Sequence, residues 1–442
     1  MMRIVKSISA IVLTVALGCS SAAAPASTEA AIPDATILIA GDLLGPYKTK
    51  LDPADPALAG IRQIIARTDA AFANQEGSSF ALESFRGSVA AENGGGYPIH
   101  TLATMRAIRA LGFTMLSRAN NHATDWGIDG LTATDDALDA IGFVHAGTGA
   151  SLTAARAPAY LESKAGKIGL VATASTFPGN APAGDPMRGA GARPGLNPLH
   201  VEPVTLVTAA EMRALRAIAL RGGWQGYDLP GKTTTDVHLN DKLFRIGKNP
   251  GLTFDVSAAD RAALLDAVQK ARVSAGQVVF SIHAHETLSG GYEDPAPADF
   301  LQPLFHDVID RGATIVTRSG PHSLQGIEIY HGRPIFYGLG HMFFELPRTI
   351  TIAGDGPNKQ IVTSPEDWWE GAVATVRYAG GKLAEIRVYP LDIESDDGPR
   401  HGLPRLAVGA KARAILARIQ ERSTAFGTNM RIAGDIGIID RF

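Results

Sequence analysis

Arg118-Ala-Asn-Asn-His-Ala-Thr-Asp-Trp-Gly127, with the residues that follow it to Gly149, decides the fold class. Residues 114–117 are a short apolar run suited to a buried strand. Asn120, Asn121 and His122 crowd onto the exit of that strand, and Asp125, Gly127 and Asp129 punctuate the turn. Leu131, Thr134, Leu138 and Ile141 then recur at helical spacing, Gly142 stops the helix, and 143–145 reads as the next strand. Strand, polar turn, helix and strand in that order predict an α/β protein. Ligands of such sheets sit outside the carboxyl ends of the strands, so an Asn-Asn-His cluster there is placed to do chemistry. Taken alone, the same residues also fit a polar turn with a capping Asn.

Upstream, Thr36-Ile-Leu-Ile-Ala40 is a continuous apolar run that ends in Gly41-Asp42. An amphipathic helix is expected over 53–69, with Leu58, Ile61, Ile64 and Ile65 on one side. Residues 70–73 form a second short strand, which ends in Asn74-Gln75-Glu76-Gly77, and 92–96 is a glycine-rich loop. Downstream, 167–172 is a further strand. Residues 177–275 then read as an insertion, a lid over the site, with helices at 208–220 and 257–272 flanking a polar stretch. Gln277-Val-Val-Phe-Ser-Ile282 delivers His283-Ala-His-Glu286, and Ala313-Thr-Ile-Val-Thr317 delivers Arg318-Ser-Gly-Pro-His322. A β-hairpin over 371–389 and a helix over 411–422 complete the chain.

The 442 residues are 45% hydrophobic and 19% charged, which describes a folded globular chain. The formal net charge is −3 and no Lys/Arg block occurs, which argues against nucleic acid as a partner. Residues 1–31 read as a targeting leader: Arg3 and Lys6 precede an apolar core over 8–17, and small residues follow at 20–24. Cys19, the single cysteine, stands in a context similar to a lipoprotein processing box, from which it departs at Ala16. Either Cys19 is lipidated and anchors the chain, or cleavage leaves a mature chain without cysteine. Both outcomes imply an exported, periplasmic or cell-envelope protein without disulfides.

Asp42, Glu76, Asn121 with His122, His283 with His285, and His322 all stand at the ends of expected strands. Each alone fits a turn or a hydrogen-bonded core residue. Together they make a mixed oxygen and nitrogen set that suits one or two ions of Mn, Fe or Zn rather than Ca or Mg. Such an ion lowers the pKa of bound water from about 15.7 to about 7. Asp125 is placed to orient His122.

The ordered set Gly41-Asp42, Asn74-Gln75-Glu76, Asn120-Asn121-His122-Ala-Thr-Asp125-Trp-Gly127, His283-Ala-His-Glu286 and Gly320-Pro-His322-Ser-Leu-Gln325-Gly-Ile-Glu328 resembles the CapA family of capsule and poly-γ-glutamate synthesis proteins. Gly130-Leu131, Arg193-Pro-Gly-Leu-Asn197 and Ile335-Phe-Tyr-Gly-Leu-Gly340-His also match, so the likeness covers about 36–345. The resemblance implies a four-layered αββα sandwich of metallophosphoesterase type over 34–345. Residues 346–442 complete it, the 371–389 hairpin joining the second sheet. It also implies work on poly-γ-glutamate or another anionic polymer beside membrane synthase or export components. By the same likeness the ligands are Asp42, Glu76, Asn121, His283 and His322, and His122 is the general acid.

The chain departs from that pattern in three places. Asp42-Leu-Leu44 replaces Asp-x-His, Glu76 stands for a bridging Asp, and Gly320-Pro-His322 replaces His-Pro-His. His285 and His341 are candidates for the missing ligands. Arg318 and Arg193 are expected as an exposed positive lining for substrate. Three functions remain open at this point: a metal-dependent hydrolase of capsule assembly, a non-catalytic envelope scaffold that binds polymer through a degenerate site, or a lipoprotein phosphodiesterase unrelated to capsule.

Overall fold

A computed structural model describes residues 32–222, 235–239, 242–291, 294–352 and 360–442. The leader and Cys19 lie outside the described residues, among which no helix is long and apolar enough to cross a membrane. The chain first lays down β1 (Ala35–Leu44), β2 (Ala70–Gln75), β3 (Met115–Ser117) and β4 (Val144–Ala146), each parallel to the one before. It then builds a separate six-stranded sheet. In chain order its strands are β5 (Ala159–Ser163), β6 (Gly166–Ala174), β7 (Gln277–His283), β8 (Ile315–Ser319), β9 (Ile327–Tyr330) and β10 (Arg333–Phe336). Strands β6, β7 and β8 are parallel neighbours. The chain returns to the first sheet with β11 (His341–Phe344), parallel to β1, and with the hairpin β12 (Glu370–Ala379) and β13 (Lys382–Ile393).

The hairpin therefore completes the first sheet, not the second. Strand β12 lies antiparallel along the edge of β1 that β2 leaves open, in a sheet that reaches ten strands. Its turn, Gly380-Gly381, takes φ of 60° and 75°, a left-handed pair that glycine adopts without penalty.

Side-chain alternation fixes the packing. Ile37, Ile39, Phe72 and Met115 of the first sheet share one buried cluster with Ile168, Leu170, Val279, Ile315 and Phe336 of the second. The alternate residues Leu38, Ala40, Ala71 and Leu116 pack on helices Ala59–Ile65 and Leu102–Leu111. Val171, Val278, Phe280 and Val316 pack on helices Ala258–Ser274 and Leu301–Asp310. With both faces covered, these strands are apolar throughout, which is why they read as runs rather than alternations. The helix expected over 53–69 is shorter in the structure: Pro56–Leu58 forms a 3₁₀ turn before Ala59–Ile65.

The insertion over 177–275 contains strands that its sequence does not announce. Val201–Val207, Asp236–Leu239, Lys242–Ile246 and Gly251–Val256 make a four-stranded sheet with a small core of Val207, Met212, Ala219, Val237 and Leu239. The Phe254 ring of this sheet lies 5.6 Å from that of Phe300 in a tilted contact, so it joins the helical side of the second sheet.

Candidate metal centre

The carboxyl ends of β1, β2 and β3 meet those of β7 and β8. The strand ends picked out in the sequence thus converge from two sheets. Asp42 is the last polar residue of β1, and β11 pairs with β1 so that His341 lies opposite Asp42. The register then slips between Asp42 and Leu43, which keeps Leu43 and Leu44 in the core. Three glycines permit this crossing. A Cβ on Gly41 would lie 1.8 Å from Gly340 O, and one on Gly371 would lie 1.9 Å from His341 O.

Asn74 Nδ2 donates to Asp42 Oδ1 at 2.9 Å and lies 3.3 Å from His283 Nδ1. Gly320 N donates to Asp42 Oδ2 at 3.3 Å. Ser319 Oγ is 3.0 Å from His283 Nδ1, while His283 Nε2 faces His285 Nε2 at 2.9 Å and Glu76 Oε1 at 4.0 Å. His322 Nδ1 lies 2.9 Å from His341 Nε2, and His341 Nδ1 donates to the carbonyl of Trp368 at 2.8 Å. His122 Nδ1 pairs with Asp125 Oδ2 at 2.6 Å, which leaves Nε2 turned to Glu76 Oε1 at 3.9 Å. Asp125 Oδ1 also accepts from Gly94 N at 2.7 Å, and Asn121 Nδ2 donates to Gly94 O at 2.8 Å. The glycine-rich loop is thereby fastened to the site.

The electrostatics of the cluster are those that a bound cation would relieve. Glu76 is fully buried, and neither of its carboxylate oxygens has a hydrogen-bond partner among the described residues. Asn121 Oδ1 is in the same condition. Burial pushes Asp42 up to about 7, and burial with Asp42 and Asp125 nearby pushes Glu76 up as well. Burial pulls His285 down to about 3 and His341 to about 4. His283 and His322 fall well below the usual imidazole range for the same reason. Neutral imidazoles, with lone pairs turned toward one another and toward unpaired carboxylates, form a donor set that a divalent cation satisfies. Three overlapping groups have ligand atoms within 4.8 Å of one another: Asp42, Glu76 and His283; Glu76, His285 and His322; and Asp42, His322 and His341.

Residues 36–345 match the family described as Bacterial capsule synthesis protein PGA_cap. The chain belongs to this family. Among its relatives are two proteins of Sinorhizobium fredii (strain NBRC 101917 / NGR234), uncharacterized protein y4sH and uncharacterized protein y4uA. The first is 33% identical over 435 residues, covering 91% of this chain and 92% of the relative. The second is 33% identical over 415 residues, covering 87% and 88%. PGA biosynthesis protein CapA of Bacillus subtilis (strain 168) is 25% identical over 249 residues, 56% of this chain and 47% of that protein.

In this PGA_cap member, the structure brings Asp42, Glu76, His283 and His322 together with both extra candidates, His285 and His341. The ring of His285 fills the space that a side chain at Gly320 would need: a Cβ there would lie 2.6 Å from its Cδ2. Arg318 is not an exposed lining residue. It is 2% exposed, and its guanidinium donates to Ala284 O at 2.9 Å and Glu286 O at 2.8 Å, which holds the turn that carries His285. Arg193 is exposed and donates to Pro182 O. A cavity of about 700 Å³ opens at Asn121, His122, His285 and His322; no described residue of 177–275 lines it, so neither Arg193 nor the insertion sheet forms its wall. Asn74 was missed as a site residue. The signal was present, because Asn74 and Glu76 are two apart at a strand end and so share a face.

Proposed function

We propose that this PGA_cap member is a metal-dependent hydrolase of capsule polymer biosynthesis. Asp42, Glu76, Asn121, His283 and His322 would hold one or two ions of Mn, Fe or Zn, with His285 and His341 as further ligands. The single observation that carries this reading is Glu76, a buried carboxylate whose Oε1 faces two imidazoles and whose two oxygens lack any hydrogen-bond partner among the described residues. A purely structural site has no physical reason to keep such a group. The shared cluster between two sheets with helices packed outside supports the four-layered αββα arrangement.

A bound ion supplies a polarised phosphoryl or carbonyl oxygen and a water of lowered pKa. The chain's own residues do the rest. Asn74 holds Asp42 and His283 in place. Asp125 fixes the His122 ring so that Nε2 is presented to the cavity, where it holds the proton that the leaving group takes. Hydrolysis breaks the bond to the leaving group and joins the OH of water to the phosphorus or carbonyl carbon. The leaving atom takes the His122 proton, and the remaining proton of water returns to the His122 ring. The family, described as capsule synthesis proteins, supports a role in capsule biosynthesis. The reading extends it to poly-γ-glutamate or a related anionic polymer. The protein would act in the periplasm or cell envelope, with Cys19 as lipid anchor and a membrane synthase or exporter as partner.

The test compares wild type with His122→Ala. The variant is expected to keep its bound metal and lose about 10²-fold or more in turnover of a phosphoester such as bis(p-nitrophenyl) phosphate. Unchanged turnover would remove His122 from the mechanism. Wild type that binds metal but turns over neither phosphoesters nor polyglutamate would favour a scaffold role.

A further inference from the structure

The cavity has a floor and a wall of different chemistry. Asn121, His122, His285 and His322 form the floor, and Tyr47, Tyr97, Ile99, Leu346, Pro347 and Trp368 supply most of the wall. Formal charge in the wall comes from Lys48 and Glu345. Glu345 is already engaged: its carboxylate accepts from Tyr47 N, Lys48 N at 2.8 Å, and Thr49 N and Oγ1 at 2.7 Å each. Lys48 is exposed and makes no ion pair among the described residues. The aromatic walls are held before any ligand arrives. The Trp368 ring lies 4.8 Å from His322, and the Tyr47 ring 4.8 Å from His100. Tyr47 Oη also donates to Glu76 O at 3.3 Å.

We propose that this cavity takes an anionic ester with one planar or apolar arm, its head at the imidazole floor and its arm along the Tyr47–Trp368 wall. For the head group the proposal rests on the metal-centre reading above; the arm does not depend on it. A volume of about 700 Å³ is that of a small-molecule pocket. An extended polyanion fits it poorly. Such a chain carries a carboxylate on each repeat, and several of them would be desolvated against apolar side chains with one ammonium to meet them. A capsule polymer therefore engages this site by an end, or through a small ester made or consumed during its assembly. Hydrolysis of the ester breaks the bond from phosphorus to the arm oxygen and forms P–OH from water, and the second proton of water ends on the arm oxygen.

The experiment measures binding of phenylphosphonate and methylphosphonate by titration calorimetry, with γ-linked triglutamate as the polyanion probe. Each is run on the purified protein loaded with Mn²⁺ and again after chelation. Phenylphosphonate is expected to bind about tenfold tighter than methylphosphonate, and tighter than triglutamate, in both forms. In Leu346→Ser the phenyl-to-methyl ratio should fall severalfold. In Lys48→Met both phosphonates should weaken together and the ratio should persist. A ratio near one in wild type, or triglutamate as the tightest ligand, overturns the proposal even if metal is bound. A ratio that collapses in Lys48→Met also overturns it, because charge and not the apolar wall would then set the preference. Failure to take up Mn²⁺ would instead overturn the metal centre, while a retained phenyl preference would still support the wall.

Discussion

Glu76 is the residue on which the proposed metal site most depends. Its neighbours include His283, an imidazole drawn down by burial, and a second carboxylate, Asp42, drawn up by it. An anion in that position destabilises the metal-free protein, and a cation reverses the effect. Glu76→Gln is therefore expected to raise the stability of the chelated protein by about 1–3 kcal/mol while abolishing its response to metal. Thermal melts with and without Mn²⁺ check both halves. A variant that is less stable in chelator, or that Mn²⁺ still stabilises, would contradict the assignment. At this scale much was legible, because Asp42, Glu76, His283 and His322 each follow an apolar run and strand ends are where such folds place ligands. Arg318 was misread, because a local sequence does not reveal whether a guanidinium meets solvent or backbone carbonyls.

The crossing of β1 and β11 is what brings His341 to Asp42. It depends on backbones that approach too closely for a side chain. A methyl on Gly371 would meet His341 O at 1.9 Å, and one on Gly41 would meet Gly340 O at 1.8 Å. Gly371→Ala is expected to lower stability by about 3 kcal/mol or more, and to weaken metal affinity because it displaces the strand that carries His341. Urea denaturation and a metal titration read the two effects. An unchanged midpoint would show that the strands relax freely. The pairing itself was not legible, since His341 sits far along the chain from Asp42 and its register is set by tertiary packing. The hairpin was read correctly as a hairpin, yet assigned to the wrong sheet, because its apolar faces suit either one. The strands within 177–275 escaped notice because their exposed polar faces dilute the alternation that marks a strand.

For the whole molecule, the sequence order of strands and helices gave the α/β class, and the motifs gave the family. What it could not supply was the convergence of two sheets, which turns separate strand ends into one donor cluster. Nor could it supply the cavity, whose wall comes from the segments around Tyr47, Tyr97, Leu346 and Trp368. These are scattered along the chain, and no local pattern links them. The function proposed for that cluster requires that it bind a metal. The most direct measurement is elemental analysis of the purified protein, with metal counted per chain, for wild type and His283→Ala. The expected result is about one or two equivalents of Mn, Fe or Zn in wild type, with the loss of about one or more in the variant. Wild type that stays metal-free after reconstitution, or a variant with undiminished content, would contradict it.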